Sequence, residues 1–180
     1  MDVTTTSDRV CTSGCNVCNS SSQYQTSGCQ TVAPGNVTVV LDSGTATPAV
    51  MATGNWATVN IVQPSTMLGS SFLSDGDSNK GNCSVLFLLT VPFGGWYRVS
   101  VTYDAKFDRA VRVPVTVTDM NGARVLYVNE RVGTSPSTVL GIFRFNGTGG
   151  SVLIENRGTD QNTTDTIGTL GLWFLGLLFA

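Results

Sequence analysis

The stretch from Gly94 to Val117, GGWYRVSVTYDAKFDRAVRVPVTV, constrains this chain most. Tyr97, Val99, Val101 and Tyr103 alternate with Arg98, Ser100, Thr102 and Asp104. A period of two places one set on an apolar face and the other in water, the mark of a half-buried antiparallel strand. After a polar connection at Asp104–Asp108 the alternation resumes, with Val111, Val113, Val115 and Val117 set against Arg112, Pro114, Thr116 and Thr118. Pro114 has no N–H to give, so its place is an edge, a bulge, or a point where no neighbour needs that hydrogen bond.

The same texture runs on both sides of that stretch. Val37, Val39 and Leu41 alternate before Asp42-Ser43-Gly44, and Trp56–Val62 reads as another strand with its face undecided. Cys83–Val91 is apolar on both faces around Phe87 and Leu88, as a central or interface strand would be. Asn121-Gly122 is the strongest hairpin-turn dipeptide, joining the strand ending near 119 to Val125–Val132. Further strands read at Val139–Phe145 and Val152–Glu155, and no helix is evident. Many short strands punctuated by Gly and Asn predict an all-β chain: a jelly-roll or Ig-like two-sheet β-sandwich over residues 36–180.

Residues 1–35 do not share that texture. They hold few large apolar residues, no periodicity, and four of the five cysteines, at Cys11, Cys15, Cys18 and Cys29. This segment reads as an extended, Cys-rich arm that would not fold unaided. Disulfides and a four-thiolate zinc site compete for the cysteines. The spacing lacks the paired C-x2-C knuckles of a zinc ribbon, and disulfides are the expectation, with no metal site. Cys83, the fifth, is then the one expected to pair outside the cluster.

Only 12% of residues are charged, against roughly a quarter in ordinary domains. Ten cationic residues scattered among twelve anionic ones form no basic stripe, which excludes nucleic acid as the expected partner. No histidine is present, which removes the commonest general base and metal ligand. Sequons begin at Asn19, Asn36, Asn82, Asn146 and Asn162, and attached glycans are expected at several, most credibly Asn36, Asn146 and Asn162. With the cysteines they predict an extracellular, secreted protein. Met1–Val10 carries no apolar run that would read as a leader. The apolar end, Ile167–Ala180, is too short for a membrane-spanning helix and reads as a last strand. Leu170, Leu172 and Phe174 would point inward there, and Trp173 and Leu175 outward.

With the strands placed, residues from about 37 to 175 resemble the golvesin-like C-terminal domain, a β-sandwich module of secreted proteins including polysaccharide lyases. The matching pieces are Val40-Leu41-Asp42, Gly54-Asn55-Trp56, Ser71-Phe72-Leu73 with Asp75-Gly76 and Lys80-Gly81, and Gly95-Trp96-Tyr97-Arg98-Val99. Asp108-Arg109, Val113–Val117, Leu126–Asn129, Leu140-Gly141 and Gly150-Ser151-Val152 continue the match. The resemblance implies a jelly roll, a secreted location, carbohydrate binding, and no catalytic residues or cofactor.

The residues offer three candidate chemistries. Asp104 and Asp108 flank a loop, but that spacing is more often Asx-capping than an acid–base pair, and no nucleophile–base constellation can be assembled. Asp75, Asp77 and Asn79 offer oxygens to a cation, yet Leu86 stands where a bidentate Glu belongs and Lys80 opposes the charge. A hydrogen-bonded turn is the expectation there. Trp56, Trp96 and Tyr103 are the candidate sugar-stacking aromatics, with core packing as the bland reading of each. The reading placed first is a non-catalytic structural subunit that assembles with copies of itself into a helical extracellular filament. In it, Val10, Val17, Tyr24 and Val32 of the arm dock on a neighbour near Trp173 and Leu175. The alternative is a secreted carbohydrate-binding module.

Overall fold

The computed structural model describes residues 10–11, 29–30, 37–44, 47–61, 69–78, 80–132, 137–147, 149–159 and 162–177, with backbone alone at 10–11, 29–30, 173–174 and 176–177. The chain divides into two units, Met1–Val37 and Thr38–Ala180. In the first, β1 (Val10–Cys11) pairs antiparallel with β2 (Cys29–Gln30), and Cys11 stands directly opposite Cys29.

The second unit is built from strands, with no helix among its described residues. Its elements are β3 (Thr38–Asp42), β4 (Val50–Thr53), β5 (Ala57–Asn60), β6 (Ser71–Ser74), β7 (Ser84–Leu89) and β8 (Gly95–Val101). Then come β9 (Val113–Asp119), β10 (Gly122–Val128), β11 (Thr138–Phe145), β12 (Gly150–Glu155), β13 (Thr166–Ile167) and β14 (Thr169–Leu177). One sheet has the order β10-β9-β12-β7-β4, a second β11-β8-β14-β3, and a third β13-β6-β5. Only Gly168 separates β13 from β14, so the chain passes directly from the third sheet into the second.

The alternation in the sequence sets the packing. Tyr97, Val99 and Val101 of β8 point into the space between the sheets and meet Val113, Val115 and Val117 of β9 in one core. Phe87, Phe143, Phe145, Leu170 and Leu172 complete it, each at most 1% exposed. Burying one such side chain contributes about 1.5–3 kcal/mol, so this core is the main stabilising term. Pro114 pairs with Tyr127 of β10, while the ladder to β12 ends one residue earlier at Val115. A neighbour on one side alone leaves proline's missing N–H without consequence. β7 is central, between β12 and β4; its second apolar set, Leu86 and Leu88, faces outward and is half-buried and exposed respectively. The β9–β10 hairpin turns at Met120-Asn121, with Gly122 at φ 102°. Only glycine takes that conformation at no cost.

Candidate binding face

The three candidate aromatics do not form one platform. Trp56 follows β4, packs against the core, and donates its indole N–H toward Thr53 O (3.0 Å) and Ser84 O (3.2 Å). Tyr103 lies just past β8, with its hydroxyl at Asn129 O (3.1 Å), Val132 O (2.8 Å) and Thr138 Oγ1 (2.7 Å). That hydroxyl ties the β8–β9 connection to the β10–β11 connection, so its polar end is spent on structure. Trp96 is different: it sits near the start of β8 and is 42% exposed. At ~3.3 Å per strand residue, Trp96 and Tyr103 are about 23 Å apart along the chain.

The register places other residues beside Trp96 on the outer face of the second sheet. Arg144 of β11 and Gly176 of β14 are its cross-strand partners. Two residues along, Arg98 has Ile142 on one side and the backbone of Trp173 on the other. Partners directly opposite project from the same face with Cβ atoms about 4.5–5.5 Å apart. Gly176 has no side chain to crowd the indole. Arg144 Nε is buried without an acceptor among the described residues. An apolar ring beside the Arg144 guanidinium, on rigid strands, suits a saccharide whose C–H face stacks and whose carboxylate accepts a charge-assisted hydrogen bond. Arg98, Ile142 and Arg144 are not singled out by the sequence reading. The available signal was that they are the outward members of β8 and β11.

The loop after β8 is a charged clasp. Arg109 reaches Asp108 Oδ1 (2.9 Å) and Asp104 Oδ2 (2.5 Å), and Lys106 also reaches Asp104 (2.6 Å). Burial would raise the Asp104 carboxyl, but Lys106 and Arg109 outweigh it and hold it below the usual range. Both carboxylates considered as an acid–base pair are thus committed to one arginine. Phe107, at the tip of this clasp, is 88% exposed.

The Asp75–Asn82 segment is a hydrogen-bonded turn, with Gly76 N on Ser74 Oγ (3.3 Å) and Ser78 Oγ on Asp75 O (2.8 Å). Asn79 lies outside the described residues, and Asp77 is exposed at φ 59°. Lys80 Nζ stands 2.8 Å from Asp75 Oδ2 and 2.6 Å from Asp165 Oδ2, so an ammonium fills the role considered for calcium. Asp75 also accepts from Asn156 Nδ2 (3.1 Å), Asp77 N (3.1 Å) and Asp165 N (2.9 Å). Burial would raise Asp75, yet Lys80 and these donors keep it below the ordinary aspartate range. Burial, with the neighbouring Asp75, pushes Asp165 up to about 6 despite Lys80. Burial would lower Lys80, but the two carboxylates more than reverse that. Among the described residues no group of three His, Cys, Asp or Glu side chains could hold a metal.

Cys83 is a free thiol, 2% exposed, with Sγ 3.8 Å from Asn55 O. The expected bond from Cys83 to a cysteine outside the cluster is not formed. Cys15 and Cys18 fall outside the described residues, as do the sequons at Asn19 and Asn36. Asn82, Asn146 and Asn162 are exposed, Asn82 included although its neighbour leads into β7. Of the proposed assembly residues, Val17, Tyr24 and Val32 lie outside the described residues, Val10 and Trp173 are described by backbone alone, and Leu175 is 50% exposed.

Comparison with known proteins accords with this geometry. The Golvesin C-terminal domain model matches residues 39–167. A xanthan lyase of Bacillus sp. (strain GL1) is 33% identical over 108 residues, covering 59% of this chain and 11% of that protein. The solved Paenibacillus xanthan lyase superposes with a TM-score of 0.69 at 30% identity, over 77% of this chain and 13% of that one. A family 35 carbohydrate-binding module from Clostridium thermocellum matches at TM-score 0.53 and 17% identity, over 74% of this chain and 97% of that module, which shows a shared fold. This chain spans about a tenth of the xanthan lyases it matches. The all-β fold is thus that of carbohydrate-binding modules, and the chain belongs to the Golvesin C-terminal domain family.

Proposed function

We propose that this chain is a non-catalytic, extracellular carbohydrate-binding module that holds a polysaccharide on the outer face of the β11-β8-β14-β3 sheet. The observation that carries the reading is Trp96, exposed between Arg144 and Gly176 with Arg98 in the next row. The Arg144 guanidinium beside the ring favours a polymer bearing carboxylates, and the kinship to two xanthan lyases makes xanthan the first ligand to try. The module-like fold supports this alternative over filament assembly, for which the comparisons offer no support.

Affinity electrophoresis of the full chain through gels containing xanthan, a neutral glucan, or no polymer tests the reading. Retardation by xanthan, abolished by Trp96→Ala and kept by Phe107→Ala, is the expected result. Equal mobility in all gels would refute carbohydrate binding. Loss with Phe107→Ala and not with Trp96→Ala would move the site to the loop clasp.

A further inference from the structure

We infer that Lys80 and Asp165 condense within the folded chain into an intramolecular amide bond, with Asp75 carrying the proton. The three side chains are 7%, 1% and 0% exposed, in the order Lys80, Asp165, Asp75. Lys80 Nζ is 2.6 Å from Asp165 Oδ2, and Asp75 Oδ2 lies 2.8 Å from the same nitrogen. Backbone holds the reacting groups in place: Asp165 N donates to Asp75 Oδ1 (2.9 Å), and Asp75 N to Asp165 O (3.2 Å). Asn156 Oδ1 accepts from Gly81 N (2.9 Å) and Cys83 N (3.0 Å), fixing the chain on the other side of Lys80. Groups held this way react as though at very high concentration.

Thr159 Oγ1 lies 2.9 Å from both Asn156 O and Asp165 Oδ2 and donates toward them, holding the Asp165 carboxyl in place. The reacting form of Asp165 is its carboxylic acid, which an amine attacks far more readily than a carboxylate, and burial raises that carboxyl toward it. Asp75, with donors on both oxygens, stays ionised. Asp165 Oδ1 is buried with no donor among the described residues, so only one of its two oxygens faces the ammonium.

The step balances. Asp75 takes a proton from the Lys80 ammonium, and the freed lone pair attacks Asp165 Cγ. A C–N bond forms, the Cγ–OH bond breaks, and the hydroxyl leaves as water with the second nitrogen proton. Lysine ammonium, carboxylate and carboxylic acid become amide, water and protonated Asp75. The site is neutral before and after, so no charge is created in buried space. The bond would staple the turn before β7 to the segment entering β13, far apart in sequence.

The test is the intact mass of the reduced full chain, with peptide mapping of its tryptic digest. The expected mass is one water below that of the sequence, with no cleavage after Lys80 and a branched peptide joining it to Asp165. Lys80→Met restores the full mass. Asp75→Asn keeps both bonding groups and also restores it, which isolates the proton carrier. Full mass with cleavage after Lys80 in the wild-type chain overturns the inference. Loss of ammonia in place of water, or a branch to Asp75, overturns the assignment of Asp165 as the acyl partner.

Discussion

Arg144 on β11 stands directly opposite Trp96 on β8, and the pair projects from the outer face of its sheet while Phe143 and Tyr97 beside them fill the core. The alternation that built the sandwich therefore also built the proposed binding face. Arg144→Met should weaken binding of a carboxylated polysaccharide about tenfold, the worth of roughly 1.5 kcal/mol of charge-assisted hydrogen bonding. Wild-type binding should weaken as salt is added, and the variant's should depend on salt less. A variant that binds as tightly as wild type at every salt concentration would show that Arg144 makes no contact.

Lys80→Met should be the most damaging single change outside the apolar core. It leaves Asp75 and Asp165, both buried, without the lysine nitrogen that both contact, whether as ammonium or as the proposed amide. Removing one member of such a group costs about 3–5 kcal/mol. Urea denaturation followed by fluorescence measures it. A loss under about 1 kcal/mol, the range of exposed ion pairs, would mean that the site is wetter than the structure shows.

How much of this was legible in the sequence depends on how far apart the partners lie. β8, β9 and β12 announce themselves because each buries alternate residues of one short run. β6 does not: all four of its residues are buried, between β5 and a two-residue β13 nearly a hundred positions away. Its Ser-Phe-Leu-Ser text has no period to read. Lys80 sits in a run of polar residues that looks like a solvated turn, and only Asp165, from the far end of the chain, makes it a buried cation. Trp56, Trp96 and Tyr103 are equivalent as letters. What separates them is whether a backbone carbonyl is in reach of the ring's polar end, and that is decided by strands elsewhere.

Stability should fall as pH rises from mildly acidic toward neutral. Glu130 is 2% exposed beside a cavity of about 10 Å³, and its carboxylate oxygen accepts from Thr166 N (2.8 Å) and Oγ1 (3.2 Å). Burial pushes its carboxyl well above the ordinary 4.5; Asp165 adds to the rise, and the Thr166 bonds and Arg109 oppose it. The folded chain thus keeps a proton that the unfolded chain releases near that value. The stabilisation is complete below it and is lost as pH climbs to the folded pKa. Glu130→Gln keeps an oxygen for Thr166 and removes the titration. Its urea midpoint should vary less with pH than the wild type's. Identical pH profiles would refute this origin.

The arm makes a separate prediction. The register of β1 and β2 sets Cys11 opposite Cys29, a Cα separation within the range that a disulfide spans. A non-reduced digest should contain a Cys11–Cys29 linked peptide. Native alkylation should spare Cys83, because its buried thiol is reached only through opening of the fold. Rapid labelling of Cys83, or a bond joining it to any arm cysteine, would contradict this.

Calorimetric titration of the full chain and of Trp96→Ala with a xanthan-derived oligosaccharide tests the central claim most directly. Trp96 is a partly exposed strand residue, so its removal should shift stability by no more than about 0.5 kcal/mol. Stacking of a nucleobase on one aromatic ring contributes about 1–3 kcal/mol, which sets the scale for a pyranose C–H face on Trp96. The account predicts saturable binding by the wild-type chain, at least about tenfold weaker in the variant at unchanged melting temperature. Equal affinity in the two proteins, or no heat of binding from either, would contradict it.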